Sequence, residues 1–178
     1  MIKLRRESDT VHVATLPDLD YSELLTDRSS EAAMLISRSA GWVLLQAKTN
    51  YPPGVFRVPT GTVEDWEDSR TTAIRELHEE ANLKTQSSRL LARLHYEAAG
   101  QRWEFYSDLF LISRPIGSLK PNDQSEGISG WREAQVSDLA DVATDLCGLE
   151  GPWKAWGTFR AAVALLSHRL LAKQDERQ

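Results

Sequence analysis

Gly61 to Leu83 reads GTVEDWEDSRTTAIRELHEEANL, with acidic residues at fixed offsets: Glu67, then Glu76, Glu79 and Glu80, and Arg75 beside Glu76. Asp68 is placed to cap a helix, because its side-chain oxygen can accept a hydrogen bond from a free backbone N–H of the first turn. From there Ser69 to Ala81 contains no Gly or Pro, so the spacing predicts a helix of about three to four turns. At roughly 100° per residue, Ile74, Leu77 and Ala81 share one side of that helix. Glu76, Glu79 and Glu80 share another, at i, i+3 and i+4, where their carboxylates crowd. Like charges that close raise one another's pKa unless a cation sits among them. Such a cluster of hard oxygen donors suits Mg²⁺ or Mn²⁺. Taken alone, an acidic helix of this kind is ordinarily a solvated surface. The spacing outside the helix argues otherwise.

Gly61, five residues, Glu67, seven residues and then Arg-Glu-Leu-x-Glu-Glu-x-x-Leu resembles the signature box of the Nudix (MutT-like) hydrolases. Every charged position of the box is matched, by Glu67, Arg75, Glu76, Glu79 and Glu80, and Leu77 and Leu83 fill its aliphatic slots. There are two departures. Asn82 stands where the box has its second Gly, and Thr60 stands where many members carry a Gly just before Gly61. Asn is the usual second choice for a left-handed helix terminus, and Thr offers the same backbone carbonyl as Gly. Neither departure removes a carboxylate.

The resemblance implies a Nudix-type α/β/α sandwich with a mixed β-sheet and a C-terminal helix. It implies hydrolysis of a small-molecule nucleoside diphosphate derivative, with Mg²⁺ or Mn²⁺ as cofactor. The metal ligands it implies are Glu67, Glu76, Glu79, Glu80 and the carbonyl of Thr60, with Glu79 and Glu80 the principal ones. Arg75 is expected to hold the glutamates by salt bridges, and Lys48 and Arg57 to meet phosphate. Members of the family often carry a further carboxylate in the loop before a Trp-bearing strand. Glu126 matches that position and Glu104 is its rival, so that Glu76 or Glu126 is the candidate base. His78 and His95 have no metal-ligand spacing.

The 178 residues are within the range of one domain, and 41% hydrophobic and 26% charged residues are ordinary for a globular chain. A net charge of −5 argues against a nucleic-acid polymer as partner. The single cysteine, Cys147, excludes an intrachain disulfide. No stretch reaches the ~20 apolar residues of a membrane span, and MIKLRRESD has no apolar run after its basic residues. A cytoplasmic protein is expected.

The element order agrees with the box. Thr10 to Leu16 alternates and reads as a strand, followed by a loop from Asp18 to Ser30 with one helical turn. Ala32 to Ser37 and Trp42 to Gln46 flank Ser39-Ala40-Gly41 and read as a hairpin. A loop with Pro52, Pro53 and Gly54 leads through Phe56 to Pro59 into Gly61. Leu90 to Glu97 and Arg102 to Ile112 read as strands, Arg114 to Gly130 as a long irregular loop, and Ser129 to Glu133 as a last short strand. Pro152 opens a C-terminal helix whose stripe of Trp156, Phe159, Val163, Leu166 and Leu170 reads as core or as the interface of a homodimer. One domain over 1–178 is expected, with a core over about 32–139, an N-terminal extension over 1–31 and the helix over about 153–172.

Substrate identity is not legible. Leu24 to Ser29 (LLTDRS) resembles an element of Nudix enzymes that cleave coenzyme A, but it precedes the strand where that element belongs and is set aside. The Pro of ADP-ribose enzymes is missing, as Ala98 stands there, and the Tyr of some dinucleoside polyphosphate enzymes is missing too. Trp66, Trp103, Tyr96 and Tyr106 are readable as base-stacking residues or as core. A nucleotide-binding sensor with a silent Nudix fold is the alternative function; the retained carboxylates favour an enzyme.

Overall fold

A computed structural model describes residues 1–24, 29–121 and 124–175. Its strands are β1 (Lys3–Arg6), β2 (Val11–Leu16), β3 (Ser30–Ser37), β4 (Trp42–Lys48), β5 (Thr60–Thr62), β6 (Leu83–Lys84), β7 (Ser88–Ala98), β8 (Gln101–Ser113), β9 (Ile116–Gly117) and β10 (Ile128–Gln135). Its helices are α1 (Ser69–Ala81), α2 (Leu139–Cys147) and α3 (Trp153–Asp175).

The β3 segment SEAAMLIS is buried over all but its last residue, which is the pattern of a strand covered on both faces. It lies inside a six-stranded mixed sheet of order β1-β2-β7-β8-β3-β5. Ala32, Met34 and Ile36 point to α1, where they meet Leu77 and Ala81. Ala33 and Leu35 point the other way, into a larger core with Phe159 and Leu166 of α3 and Leu146 of α2. This is an α/β/α sandwich, as expected. Ala99 and Gly100, with φ of 50° and 76°, close the tight turn between β7 and β8.

The expected hairpin is not one. The chain does turn at Ser39 to Gly41, but β4 leaves the main sheet and pairs antiparallel with β10. Both edges of β3 are already taken, by β8 in parallel and by β5 over Glu31 to Ala33, and Met34 N donates to Pro59 O at 2.9 Å. The expected irregular loop contains β9 and a 3₁₀ turn at Gln124–Glu126. Helix α2 has no counterpart in the sequence reading. Residues 25–28 of the LLTDRS segment lie outside the described residues.

Helix α1 has the predicted bounds and caps. Asp68 Oδ1 accepts from Thr71 N at 2.7 Å, and Asn82 is left-handed with φ 54°. The Asn82 side chain also reaches Ser118 Oγ at 3.2 Å, which ties the helix end to the following loop. In α3, Phe159, Val163 and Leu166 are core of this chain. No helix among the described residues is long and apolar enough to cross a membrane.

Gly157 sets how closely α2 and α3 approach. A Cβ there would lie 2.2 Å from the carbonyl oxygen of Leu146. Alanine is the better helix former by roughly 1 kcal/mol, yet the clash is with backbone, and overpacking costs about 1–3 kcal/mol. Gly157→Ala should therefore lower the midpoint of denaturant unfolding. A raised midpoint would show that the two helices separate without cost.

Candidate functional site

The site is built where β5 turns into α1. The backbones come so near that a Cβ on Gly61 would lie 2.0 Å from Cγ of Glu76. Glu76 is thereby buried against the turn, 8% exposed, and Glu80, one helical turn on, is 1% exposed. From the other side the 3₁₀ turn before β10 brings in Glu126. Glu76, Glu80 and Glu126 each offer a carboxylate oxygen within 4.8 Å of the others.

The charges around this trio are only partly offset. Strand β4 sends in Lys48, whose Nζ is 2.8 Å from Glu80 Oε1 and 3.0 Å from Glu126 Oε2. Gln46 Nε2 donates to Glu80 Oε2 at 2.8 Å. Arg75 binds Glu67 at 2.7 Å, Glu76 at 2.9 Å and Glu79 at 2.8 Å. Burial pushes Glu76 up to about 7, with Glu80 and Glu126 adding to the rise against the pull of Arg75. For Lys48, burial alone would lower the pKa, but Glu80 and Glu126 outweigh it and the ammonium is held above its usual range. Three hard carboxylate donors with one ammonium among them fit a Mg²⁺ or Mn²⁺ ion.

The facing wall is cationic. The Thr60 hydroxyl accepts from Arg57 Nη1 at 3.1 Å and from Arg160 Nη1 at 3.2 Å. Arg160 Nη1 also donates to Glu31 Oε2 at 2.7 Å. The other Glu31 oxygen accepts from Ser107 Oγ at 2.7 Å, which in turn shares a hydrogen with Tyr96 Oη at 2.7 Å. Burial alone would raise Glu31, but Arg160 outweighs it and holds the carboxyl below its usual range. Arg57 Nε donates to Tyr51 Oη at 2.7 Å. Both walls line one cavity of about 420 Å³, together with Tyr51 and Trp156.

Of the residues singled out in the sequence, Glu76, Glu80 and Glu126 come together, and Glu104 is exposed outside the trio. Glu67 and Glu79 lie instead on Arg75, the role expected of that arginine. Lys48 is engaged with carboxylates rather than standing free for phosphate, while Arg57 and Thr60 line the cavity. Trp66 is 82% exposed, Tyr96 and Trp103 stack in or against the core, and Tyr106 lies under Arg93; none of them lines the cavity. Gln46, Glu31, Arg160, Tyr51 and Trp156 were not foreseen. For Glu31 and Arg160 a signal existed: each is a lone charge inside an apolar run, SEAAMLIS and TFRAAVALL, and lone charges in such runs are buried in pairs.

A family model described as the NUDIX domain matches residues 27–156. Nudix hydrolase 2 of Arabidopsis thaliana is 29% identical over 132 residues, covering 65% of this chain and 45% of that protein, so the match spans about half of the relative's length. Among solved structures, a MutT NUDIX hydrolase from Burkholderia pseudomallei superposes with TM-score 0.51 at 16% identity, covering 75% of this chain and 98% of that one. The E. coli ORF135 protein gives TM-score 0.51 at 18% identity, covering 79% and 89%. At these identities the structures share the fold.

The raised pKa of Glu76 has a measurable consequence. With its folded pKa near 7 and its unfolded value near 4.5, the folded state holds the extra proton between them. Stability in chelator should therefore fall as pH rises from about 4.5 to 7, by about 1–3 kcal/mol. Glu76→Gln should flatten that slope, and added Mg²⁺ should oppose it. Denaturant unfolding across this pH range is the measurement; an identical slope in the variant would show that Glu76 titrates normally.

Proposed function

The chain belongs to the Nudix family, and on that premise we propose that it is a divalent-metal-dependent pyrophosphohydrolase of nucleoside diphosphate derivatives. The observation that carries this reading is the Glu76–Glu80–Glu126 trio, its two helix members buried, facing Arg57 and Arg160 across one cavity. That arrangement offers an acidic wall for cations and a basic wall for anions, which is what a metal-bound diphosphate requires.

Glu76 and Glu80 on α1 would hold the metal, and Glu126 faces them from the turn before β10. When bound, Mg²⁺ or Mn²⁺ neutralises the diphosphate and acidifies a bound water. Glu126 is assigned the proton of the attacking water, because it is the least buried of the three and approaches from a separate element. Arg75 positions Glu67, Glu76 and Glu79 by donating to all three. Gln46 orients Glu80 by a hydrogen bond to Oε2, and Lys48 keeps Glu80 and Glu126 adjacent. Arg57 is the candidate for phosphate contact, fixed beforehand by Tyr51, Val58 and Thr60.

A release assay across a panel of nucleoside diphosphate derivatives, with Mg²⁺ and with Mn²⁺, tests the proposal. Turnover should require the cation, and Glu80→Gln should abolish it. A general base contributes ~10²–10⁴ in rate, so Glu126→Gln should lower kcat at least ~10-fold with little change in melting temperature, and Glu104→Gln should cost less. Full turnover in excess chelator would overturn the metal mechanism. Reversed results for Glu126 and Glu104 would overturn the assignment of the base.

A further inference from the structure

We propose that Thr60 acts through its side chain as a positioning residue, joining Arg57 and Arg160 into one clamp for the phosphate oxygens of the ligand. The inference rests on the pyrophosphohydrolase reading and adds what sets the geometry of the basic wall. Thr60 is a departure from the box, standing where many Nudix members carry Gly, and the resemblance gives a part only to its backbone carbonyl. A hydroxyl oxygen has two lone pairs. Here it accepts twice, from Arg57 Nη1 at 3.1 Å and from Arg160 Nη1 at 3.2 Å. Among the described residues no other group bonds both arginines. A glycine at this position would have no such oxygen, and the two guanidiniums would share no partner.

Strand geometry places the join at this residue. β5 is an edge strand of the six-stranded sheet, and successive side chains along a strand point to opposite faces. Gly61 opens toward Glu76 of α1, so its neighbour Thr60 points to the other face, where it meets Arg160 of α3. The acidic and basic walls of the cavity therefore meet at adjacent residues of one strand. The basic wall carries a charge that its own residues do not balance. Arg57, Arg160 and Glu31 are all buried, and Glu31 is the one carboxylate paired with either arginine among the described residues. One positive charge is left over, and a buried charge is costly unless an opposite charge meets it. Holding both guanidiniums on one oxygen fixes that charge and its free donors in place before the ligand arrives. Several donors held as a set match the several oxygens of a diphosphate.

Titration calorimetry tests the join by comparing the wild-type chain with Thr60→Val, Thr60→Gly and Thr60→Ser. Each chain is titrated with Mn²⁺ alone, and then with methylenediphosphonate, a non-hydrolysable diphosphate, at saturating Mn²⁺. Thr60→Val and Thr60→Gly remove the oxygen and keep the backbone carbonyl. Both should bind the diphosphonate about tenfold or more weakly, with Mn²⁺ affinity essentially unchanged. Thr60→Ser keeps the oxygen and should bind the diphosphonate nearly as tightly as wild type. Should Thr60→Val not fold, Thr60→Gly reads the same loss without placing a methyl group against the guanidiniums. Undiminished diphosphonate affinity in the variants lacking the oxygen would overturn the join. So would an equal fall in Mn²⁺ affinity, or a Thr60→Ser chain as weak as Thr60→Gly, because the residue would then act through its carbonyl or its packing. A wild-type chain that binds no diphosphonate would overturn the clamp itself. Binding is read without turnover, so a chain that binds diphosphonate and cleaves no diphosphate fails the enzymatic reading while the variants still decide the join.

Discussion

The site depends on one steric constraint: there is no room at position 61 for anything beyond a hydrogen. Gly61 is absent from the positive-φ residues, so it is needed for the space it leaves and not for an unusual backbone angle. With that space open, β5 and α1 approach until the Glu76 side chain fills it. Burial follows from the approach, the raised pKa of Glu76 follows from burial, and the crowding with Glu80 and Glu126 follows from where the helix then lies. Any side chain at 61 would displace Glu76 first, because Glu76 supplies all three of the nearest atoms.

Crowded carboxylates and buried charges are costly unless paired, and the pairing here extends well beyond the box. Lys48 and Gln46 come from β4, which pairs with β10 instead of joining the main sheet and sends both side chains to Glu80. On the facing wall, hydrogen bonds run from Tyr96 through Ser107, Glu31 and Arg160 to Thr60, and on through Arg57 to Tyr51. This line crosses from the centre of the sheet to the cavity. Packing of α3 on the sheet therefore fixes the basic wall as firmly as the box fixes the acidic one. The αL residue at Asn82 and the close approach at Gly157 serve the same end, by holding α1 and α3 at set positions.

Much of this was legible in the sequence where local rules decide. Helix α1, its Asp68 cap and its Asn82 terminus follow from capping chemistry and from the spacing of one short stretch. Glu126 was reached only through the family resemblance, as a loop carboxylate preceding a Trp-bearing strand, with Glu104 as its rival. The partner of β4 was not legible, because turn residues at Ser39 to Gly41 show that the chain reverses but not which edges are already occupied. Arg160 was hidden by the apolar helix that carries it, because a stripe three and four residues apart describes its core face and is silent about the residues beside it, while Trp156 was read within that stripe as core or interface and not as a cavity residue. Separating Glu76 from Glu79 required the third dimension too, since Arg75 reaches both and only one of them also faces Glu80 and Glu126.

The measurement closest to the centre of this account is the affinity of Mn²⁺ for the wild-type chain and for Gly61→Ala, read by titration calorimetry alongside circular dichroism. A methyl group at 61 cannot coexist with Glu76 where it now lies. The account predicts that the variant keeps its secondary structure and binds Mn²⁺ at least ~10-fold more weakly, the size of loss expected when a ligand of a metal site is disturbed. Undiminished affinity in a folded Gly61→Ala would contradict it, because the carboxylate trio would then assemble without the space that Gly61 leaves.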